Sequence, residues 1–127
     1  MGVRSVDAGE RERLREVGAT VFTMEDVDRR GMRDVMEEAI SIASGAPFMH
    51  VSFDMDVLDP DQAPGVGTPV RGGITYREGH LAMEMLATSG KMSSLEVVEV
   101  NPVLDERNAT ATLAVELVLS ALGARIL

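Results

Sequence analysis

Two aspartates at the end of a predicted strand are the residues of this chain best placed to do chemistry. Asp54 and Asp56 follow the apolar run that starts at residue 47, and Asp59 and Asp61 come shortly after them. On an extended chain, side chains two residues apart lie on the same face. Two such carboxylates offer the oxygen ligands that Mn²⁺ and Mg²⁺ prefer. The spacing indicates a divalent-metal site, and the alternative is a solvated acidic loop or an aspartate-proline turn.

The long loop rich in glycine and proline that follows Asp56 favours the metal site, because unstructured loops of this length are usually functional. A calcium EF-hand loop starting at Asp54 does not fit, since Leu58, Asp59 and Gly65 stand at its fifth, sixth and twelfth positions. A magnesium-dependent phosphatase that uses the aspartate pair remains open. Against it, Leu58 and Asp59 stand where such a site usually has a hydroxyl or a small residue.

Four further polar side chains are candidates for the same region or for simpler roles. Glu99 ends the last predicted strand, where it would either receive a cationic group or accept a hydrogen bond from a cap or loop. His50 would either hydrogen-bond to a metal-binding carboxylate without binding the metal itself, or be a plain structural histidine. We expect His80 to be solvated in a polar helical turn, and Glu96 to pair with a neighbouring basic group.

The alternation of apolar patterns predicts an α/β fold in which a parallel sheet is flanked by helices. In such sheets ligands gather at the carboxyl ends of the strands, which is where the aspartates and Glu99 fall. Strands are predicted at 2–6, 19–24, 47–56 and 93–102, and helices at 9–18, 25–44, 76–90 and 108–122.

Composition narrows the class of protein. The 127 residues suit one domain, and the net charge of −9 disfavours nucleic acid and anionic membranes while it suits a cation. The absence of cysteine excludes disulfides, zinc-thiolate sites and a cysteine nucleophile. We find neither a run of about 20 apolar residues nor a signal-peptide pattern, so we expect a cytoplasmic protein.

The segment SFDMDVLDPDQAPGVGTPVRGGITYREG, followed further along by VEVNP, resembles the C-terminal signature of the arginases, in the ureohydrolase family. The resemblance covers residues 1–127 as the C-terminal part of an arginase-like domain. It implies a three-layer α/β/α fold, truncated to about four strands. It also implies hydrolysis of the guanidinium of L-arginine to ornithine and urea, with two Mn²⁺ ions at the site.

The same resemblance implies roles for individual residues. Asp54 and Asp56 match the two aspartates of the family's metal motif, and Glu99 matches a glutamate that faces the substrate guanidinium. Thr68 matches a residue that lines the same pocket. His50 matches a position that is often histidine in the family but is not a metal ligand.

The chain also departs from the family. Its longer members carry G-G-D-H and D-A-H-x-D metal motifs in their first half, and neither motif occurs here. We therefore expect an incomplete metal site, because two carboxylates are too few for two ions. A non-catalytic remnant that serves as an assembly domain is the alternative function.

Missing strands would also leave an apolar sheet edge exposed, and exposed edges pair with other chains. We therefore expect a homo-oligomer. The resemblance implies a trimer, with Arg77 and Glu78 at the interface.

Overall fold

Two parallel strands and four helices make up the fold within residues 1–124, which the computed structural model describes. The strand β1 leads into a short 3₁₀ turn, and a long loop then runs to the third helix. In chain order the elements are α1 (Ala8–Glu16), α2 (Met24–Ala43), β1 (Met49–Asp54), the 3₁₀ turn (Met55–Val57), α3 (Tyr76–Ser89), β2 (Met92–Val98) and α4 (Ala109–Ala121).

The parallel pairing of β1 with β2 confirms the predicted α/β class. The register runs from Met49 opposite Met92 to Asp54 opposite Val98, with one irregularity after Met49. The helix α3 connects the two strands, as a parallel crossover requires. Because both strands end at the same edge of the sheet, Asp54 and the residue after Val98 become neighbours.

The prediction of about four strands is wrong for the described part of the chain, where the sheet has two. The segments 2–6 and 19–24 form a single parallel bridge, between Val3 and Thr23. Pairing ends there because Thr23 is already the N-cap of α2, and its hydroxyl accepts a hydrogen bond from the third residue of that helix.

The helix predicted over 25–44 is also interrupted. Gly31 has φ +81° and ψ 153°, so α2 consists of two helical stretches on either side of this residue. Glycine adopts a positive φ without the clash that a Cβ would cause. Apolar spacing continues across the break, and Val27, Met32 and Val35 are all buried. Periodicity therefore identified the buried face but not the change of direction.

The core is rich in methionine, as the scarcity of aromatic residues requires. Met55 and Met83 are fully buried together with Leu58, Ile74 and Leu117. These residues come from the 3₁₀ turn, both ends of the long loop, α3 and α4, so the loop is anchored in the core at each end. None of the helices within residues 1–124 is long and apolar enough to cross a membrane.

The prediction that His80 is solvated is wrong. The side chain lies in the interface between α3 and α4 with 8% of its surface exposed, and its Nδ1 is 2.8 Å from the Ser120 hydroxyl. Its ring also packs against Tyr76, with ring centroids 4.3 Å apart. The helix-helix contact between α3 and α4 buries this face, which the local polar sequence does not reveal.

Candidate functional site

The two aspartates lie at the carboxyl end of β1, but not both on the strand. Asp54 is its last residue, and its Oδ1 accepts a hydrogen bond of 3.0 Å from the Asp56 amide. This contact starts the 3₁₀ turn, in which Asp56 lies. The expectation of two carboxylates on one strand face is therefore wrong in its geometry, although the two side chains remain close enough for their charges to interact.

Thr68 returns to this point from the far side of the long loop. Its hydroxyl donates a hydrogen bond of 3.0 Å to Oδ2 of Asp56. The neighbouring Gly67 lies so close to Glu99 that an added Cβ would be 3.3 Å from Oε2 of that glutamate. Glu99 itself follows β2 with a left-handed φ of +64°. The structure thus brings Asp54, Asp56, Thr68 and Glu99 to one edge of the sheet.

Negative charge accumulates at this edge. Partial burial raises the pKa of the Asp54 carboxyl above its ordinary value, and the hydrogen bond from the Asp56 amide opposes this shift. The charges of Asp56 and Glu99 raise the pKa further. Carboxylates that repel one another in this way favour a bound cation, which would relieve the repulsion.

The chemistry of these residues suits a manganese ion, but the number of possible ligands is too small. Carboxylate oxygens are suitable ligands, yet no group of three His, Cys, Asp or Glu side chains within residues 1–124 is arranged to hold a metal ion. One oxygen of each aspartate also accepts a hydrogen bond. The described part of the chain therefore offers carboxylate oxygens at this edge but no complete metal site.

The structure pairs His50 with side chains of the neighbouring strand β2. Its Nδ1 is 2.7 Å from the Ser94 hydroxyl, and its Nε2 is 3.5 Å from Oε1 of Glu96 on the neighbouring strand. Hydrogen bonds from Ser52 and His50 lower the pKa of Glu96. This agrees with the predicted pairing of Glu96 with a basic group, and His50 takes the structural alternative.

Arg77 and Glu78 have different environments. Arg77 is exposed and lines a groove of about 840 Å³ between α2 and α3. The carboxylate of Glu78 accepts hydrogen bonds of 2.8 Å from both the amide and the hydroxyl of Thr75, and so caps α3. The structure accounts for Glu78 within its own helix, and an interface role for either residue stays a prediction.

Sequence reasoning missed the side chains that shape the loop. The Asp59 carboxylate accepts hydrogen bonds from the amides of Asp61, Gly72 and Gly73. The bonds from Asp61 and Gly72 are the main reasons why the pKa of this carboxyl is below its ordinary value. The contact with Asp61 is an Asx turn that an Asp-Pro-Asp sequence suggests. The contacts with Gly72 and Gly73 bridge the whole loop, and no local signal indicates them.

The arginase family model matches residues 1–123. The chain belongs to the arginase family. The arginase of Bacillus subtilis is 54% identical over 127 residues, and the arginase of Bacillus caldovelox is 55% identical over 128 residues. The crystal structure of the Bacillus subtilis arginase superimposes with a TM-score of 0.97 at 55% identity and covers 99% of this chain. The predicted resemblance and fold class are confirmed.

The relatives are longer than this chain. The matches cover 100% of it but 43% of each of these two arginases, and 45% of the crystallised Bacillus subtilis chain. A formimidoylglutamase of Bacillus subtilis has the same fold, with a TM-score of 0.86 at 28% identity. The fold is thus shared by proteins named for different substrates, and it does not by itself specify a substrate.

Removing the Asp54 charge should stabilise the chain in the absence of metal. The raised pKa means that the ionised carboxyl costs folding free energy near pH 7, and that this cost disappears as the pH falls and the group is protonated. Asp54→Asn keeps an oxygen for the Asp56 amide. We expect the free energy of unfolding to rise at pH 7 by less than about 1 kcal/mol, because a partly exposed charge is screened.

Urea denaturation at pH 7 and near pH 3 measures this difference, and Asp28→Asn on the exposed face of α2 is the matched control. The gain should be absent near pH 3 and absent in the control at either pH. A loss of stability in Asp54→Asn at pH 7 would contradict the repulsion between the carboxylates.

Proposed function

We propose that this chain is part of an arginase-type ureohydrolase, which hydrolyses the guanidinium of L-arginine to ornithine and urea. The observation that carries the proposal is the convergence of Asp54, Asp56 and Glu99 at one edge of the sheet, in a chain of the arginase family. A site with this excess of carboxylates suits both divalent cations and a guanidinium.

The residues at this edge of the sheet have different proposed roles, which follow from their chemistry. Asp54 and Asp56 are proposed to hold manganese together with ligands from outside this chain, and such a metal would supply an activated water when bound. Thr68 holds the Asp56 carboxylate through the hydroxyl that donates to Oδ2. Glu99 is proposed to accept hydrogen bonds from the guanidinium, which a carboxylate orients well.

The second candidate is a non-catalytic domain of the arginase fold that serves in assembly. The observation that favours it is the lack of a three-ligand metal group within residues 1–124. Membership of the arginase family removes the main reason for a magnesium-dependent phosphatase. The two remaining candidates differ in whether the aspartates matter for urea release.

Urea release from L-arginine with Mn²⁺ distinguishes these candidates. We would assay the 127-residue chain, and the same chain joined to the part of Bacillus subtilis arginase that it does not match. We expect urea from the joined protein, and a fall of at least about a hundredfold in Asp54→Ala/Asp56→Ala. Loss of a partner of a metal ligand alone typically costs about 10–100-fold, and this variant removes two proposed ligands.

The matched control is Asp28→Ala/Asp34→Ala, which removes two exposed aspartates from α2. It should leave urea release unchanged. Urea release that survives the loss of Asp54 and Asp56 would contradict the proposed metal role. A folded joined protein without activity would favour the assembly domain.

We also propose that the chain forms a homo-oligomer, with a trimer through the surface around Arg77 as the specific form. Support comes from the groove between α2 and α3, in which Arg77 lies beside Leu81 and Met85. Glu37 and Glu84 line the same groove, so reversing the charge of Arg77 would add repulsion to it.

Sedimentation at micromolar concentration tests this assembly. We expect the wild-type chain to sediment above the monomer mass, and Arg77→Glu to shift it towards the monomer. Arg11→Glu on the exposed side of α1 is the matched control and should not shift it. A wild-type chain that sediments as a monomer would refute the oligomer.

The expected location is the cytoplasm. The proposal is supported by the absence of cysteine, which is typical of chains that do not depend on disulfides.

The net charge of −9 supports a small cationic substrate rather than nucleic acid or an anionic membrane as the partner.

A further inference from the structure

The Arg4 guanidinium joins the two ends of the loop that carries Thr68. Its Nη2 donates hydrogen bonds of 2.6 Å to the carbonyl oxygen of Asp56 and 3.4 Å to that of Leu58. On the other side, Nε and Nη2 both donate to the carbonyl oxygen of Val70, at 3.0 and 2.6 Å. One side chain therefore binds the backbone before and after the segment 59–69.

The backbone around Arg4 is held in a position that makes these contacts possible. Gly2 has φ +74°, and an added Cβ would be 2.5 Å from Cγ2 of Val57. This close approach brings the N-terminal segment against the 3₁₀ turn. Val3 is fixed on the other side by its bridge to Thr23. The Arg4 side chain therefore starts from a fixed point next to the turn.

The loop between residues 59 and 73, which we call the site loop, is held in its middle by Ala63 and Val66, which are buried in the core. The Gly65 amide donates a hydrogen bond of 2.7 Å to the Thr110 hydroxyl, and the Gly65 carbonyl accepts one of 2.8 Å from the Asn101 amide.

The two ends of the loop have contacts of their own. Leu58 and Ile74 form a bridge at its base, and the Asp59 carboxylate accepts hydrogen bonds from the Gly72 and Gly73 amides. The positive charge of Arg4 also lowers the pKa of the Asp59 carboxyl. Arg4 is thus part of the set of interactions that fixes the position of the loop relative to β1.

The position of the site loop matters because its tip supplies two contacts of the candidate site. Thr68 donates to the Asp56 carboxylate, and Gly67 lies against Glu99. Arg4 itself bonds the Asp56 carbonyl and the Val70 carbonyl. Since Val70 lies two residues after Thr68, the backbone position of Val70 helps to determine where the Thr68 hydroxyl meets the Asp56 carboxylate.

We propose that Arg4 is a positioning residue of the site, which keeps Thr68 on the Asp56 carboxylate by holding the backbone of Asp56 and Val70 together. The planar guanidinium presents several donors in a fixed arrangement, which a lysine ammonium does not. The effect on the loop stands by itself, and the effect on hydrolysis rests on the proposed function.

Hydrogen exchange of the 127-residue chain tests the effect on the loop. We compare Arg4→Met, which removes the donors, and Arg4→Lys, which keeps a charge and some of them. We expect the Gly72 and Gly73 amides to exchange at least about tenfold faster in Arg4→Met, as loss of hydrogen bonds from a charged group predicts. Arg4→Lys should be intermediate, and the amides of α4 unchanged.

The matched control is Arg11→Met, which changes an exposed arginine on α1 and should leave the site loop unaffected. Unchanged exchange at Gly72 and Gly73 in a folded Arg4→Met chain would overturn the proposal. Equal acceleration throughout the chain would also overturn it, because Arg4 would then serve general stability.

The joined protein described above tests the effect on hydrolysis. We expect Arg4→Met to lower kcat by about tenfold, with KM changed by less than about twofold, since a misplaced metal-binding carboxylate affects the reaction more than binding. Loosening of the site loop without a change in kcat would overturn the positioning role. Inactivity of the joined protein with Arg4 intact would count against the proposed function, while hydrogen exchange still decides the role of Arg4.

Discussion

The parallel pairing of β1 with β2 is the constraint on which the site depends. Parallel strands end at the same edge of the sheet, so Asp54 lies opposite Val98 and next to the turn that carries Glu99. Asp56 adds a third carboxylate through the 3₁₀ turn. Like charges so close together oppose folding, and a bound cation would reverse that effect.

The long loop completes this edge by returning to where it began. Its base is buried in the core at Leu58 and Ile74, and its tip brings Thr68 back to Asp56. Between these points the loop is held by the buried side chains of Ala63 and Val66 and by polar contacts, among them those of Asp59 and Arg4 with backbone groups. Loops whose ends lie close together and that are packed by their own side chains often carry functional residues.

The sequence was sufficient for the fold class and for the edge of the sheet at which the candidate residues gather. Alternating apolar patterns identified β1, β2 and the helices, and the strand-end rule placed Asp54 and Glu99 together. The sequence was insufficient at positions whose structure depends on contacts with residues distant in the chain. His80 is buried by α4, and the segments 2–6 and 19–24 pair through one bridge because α2 begins at once.

The same limit explains the loop. The Asx turn at Asp59 is local and can be predicted from the sequence Asp-Pro-Asp. The hydrogen bonds of Arg4 are not local, because Asp56 is 52 residues and Val70 is 66 residues further along the chain. The kink at Gly31 depends on a positive φ that an otherwise periodic helix pattern conceals. Local patterns predict elements, and long-range polar contacts determine how those elements form a site.

The proposed manganese ligands Asp54 and Asp56 do not complete a metal site within residues 1–124. Titration of Mn²⁺ into the 127-residue chain, followed by the electron paramagnetic resonance signal of the free ion, tests it most directly. We expect weak binding that is lost in Asp54→Ala/Asp56→Ala, since residues 1–124 offer too few ligands for tight binding. Tight binding of two ions per chain, or binding that survives the loss of both aspartates, would contradict it.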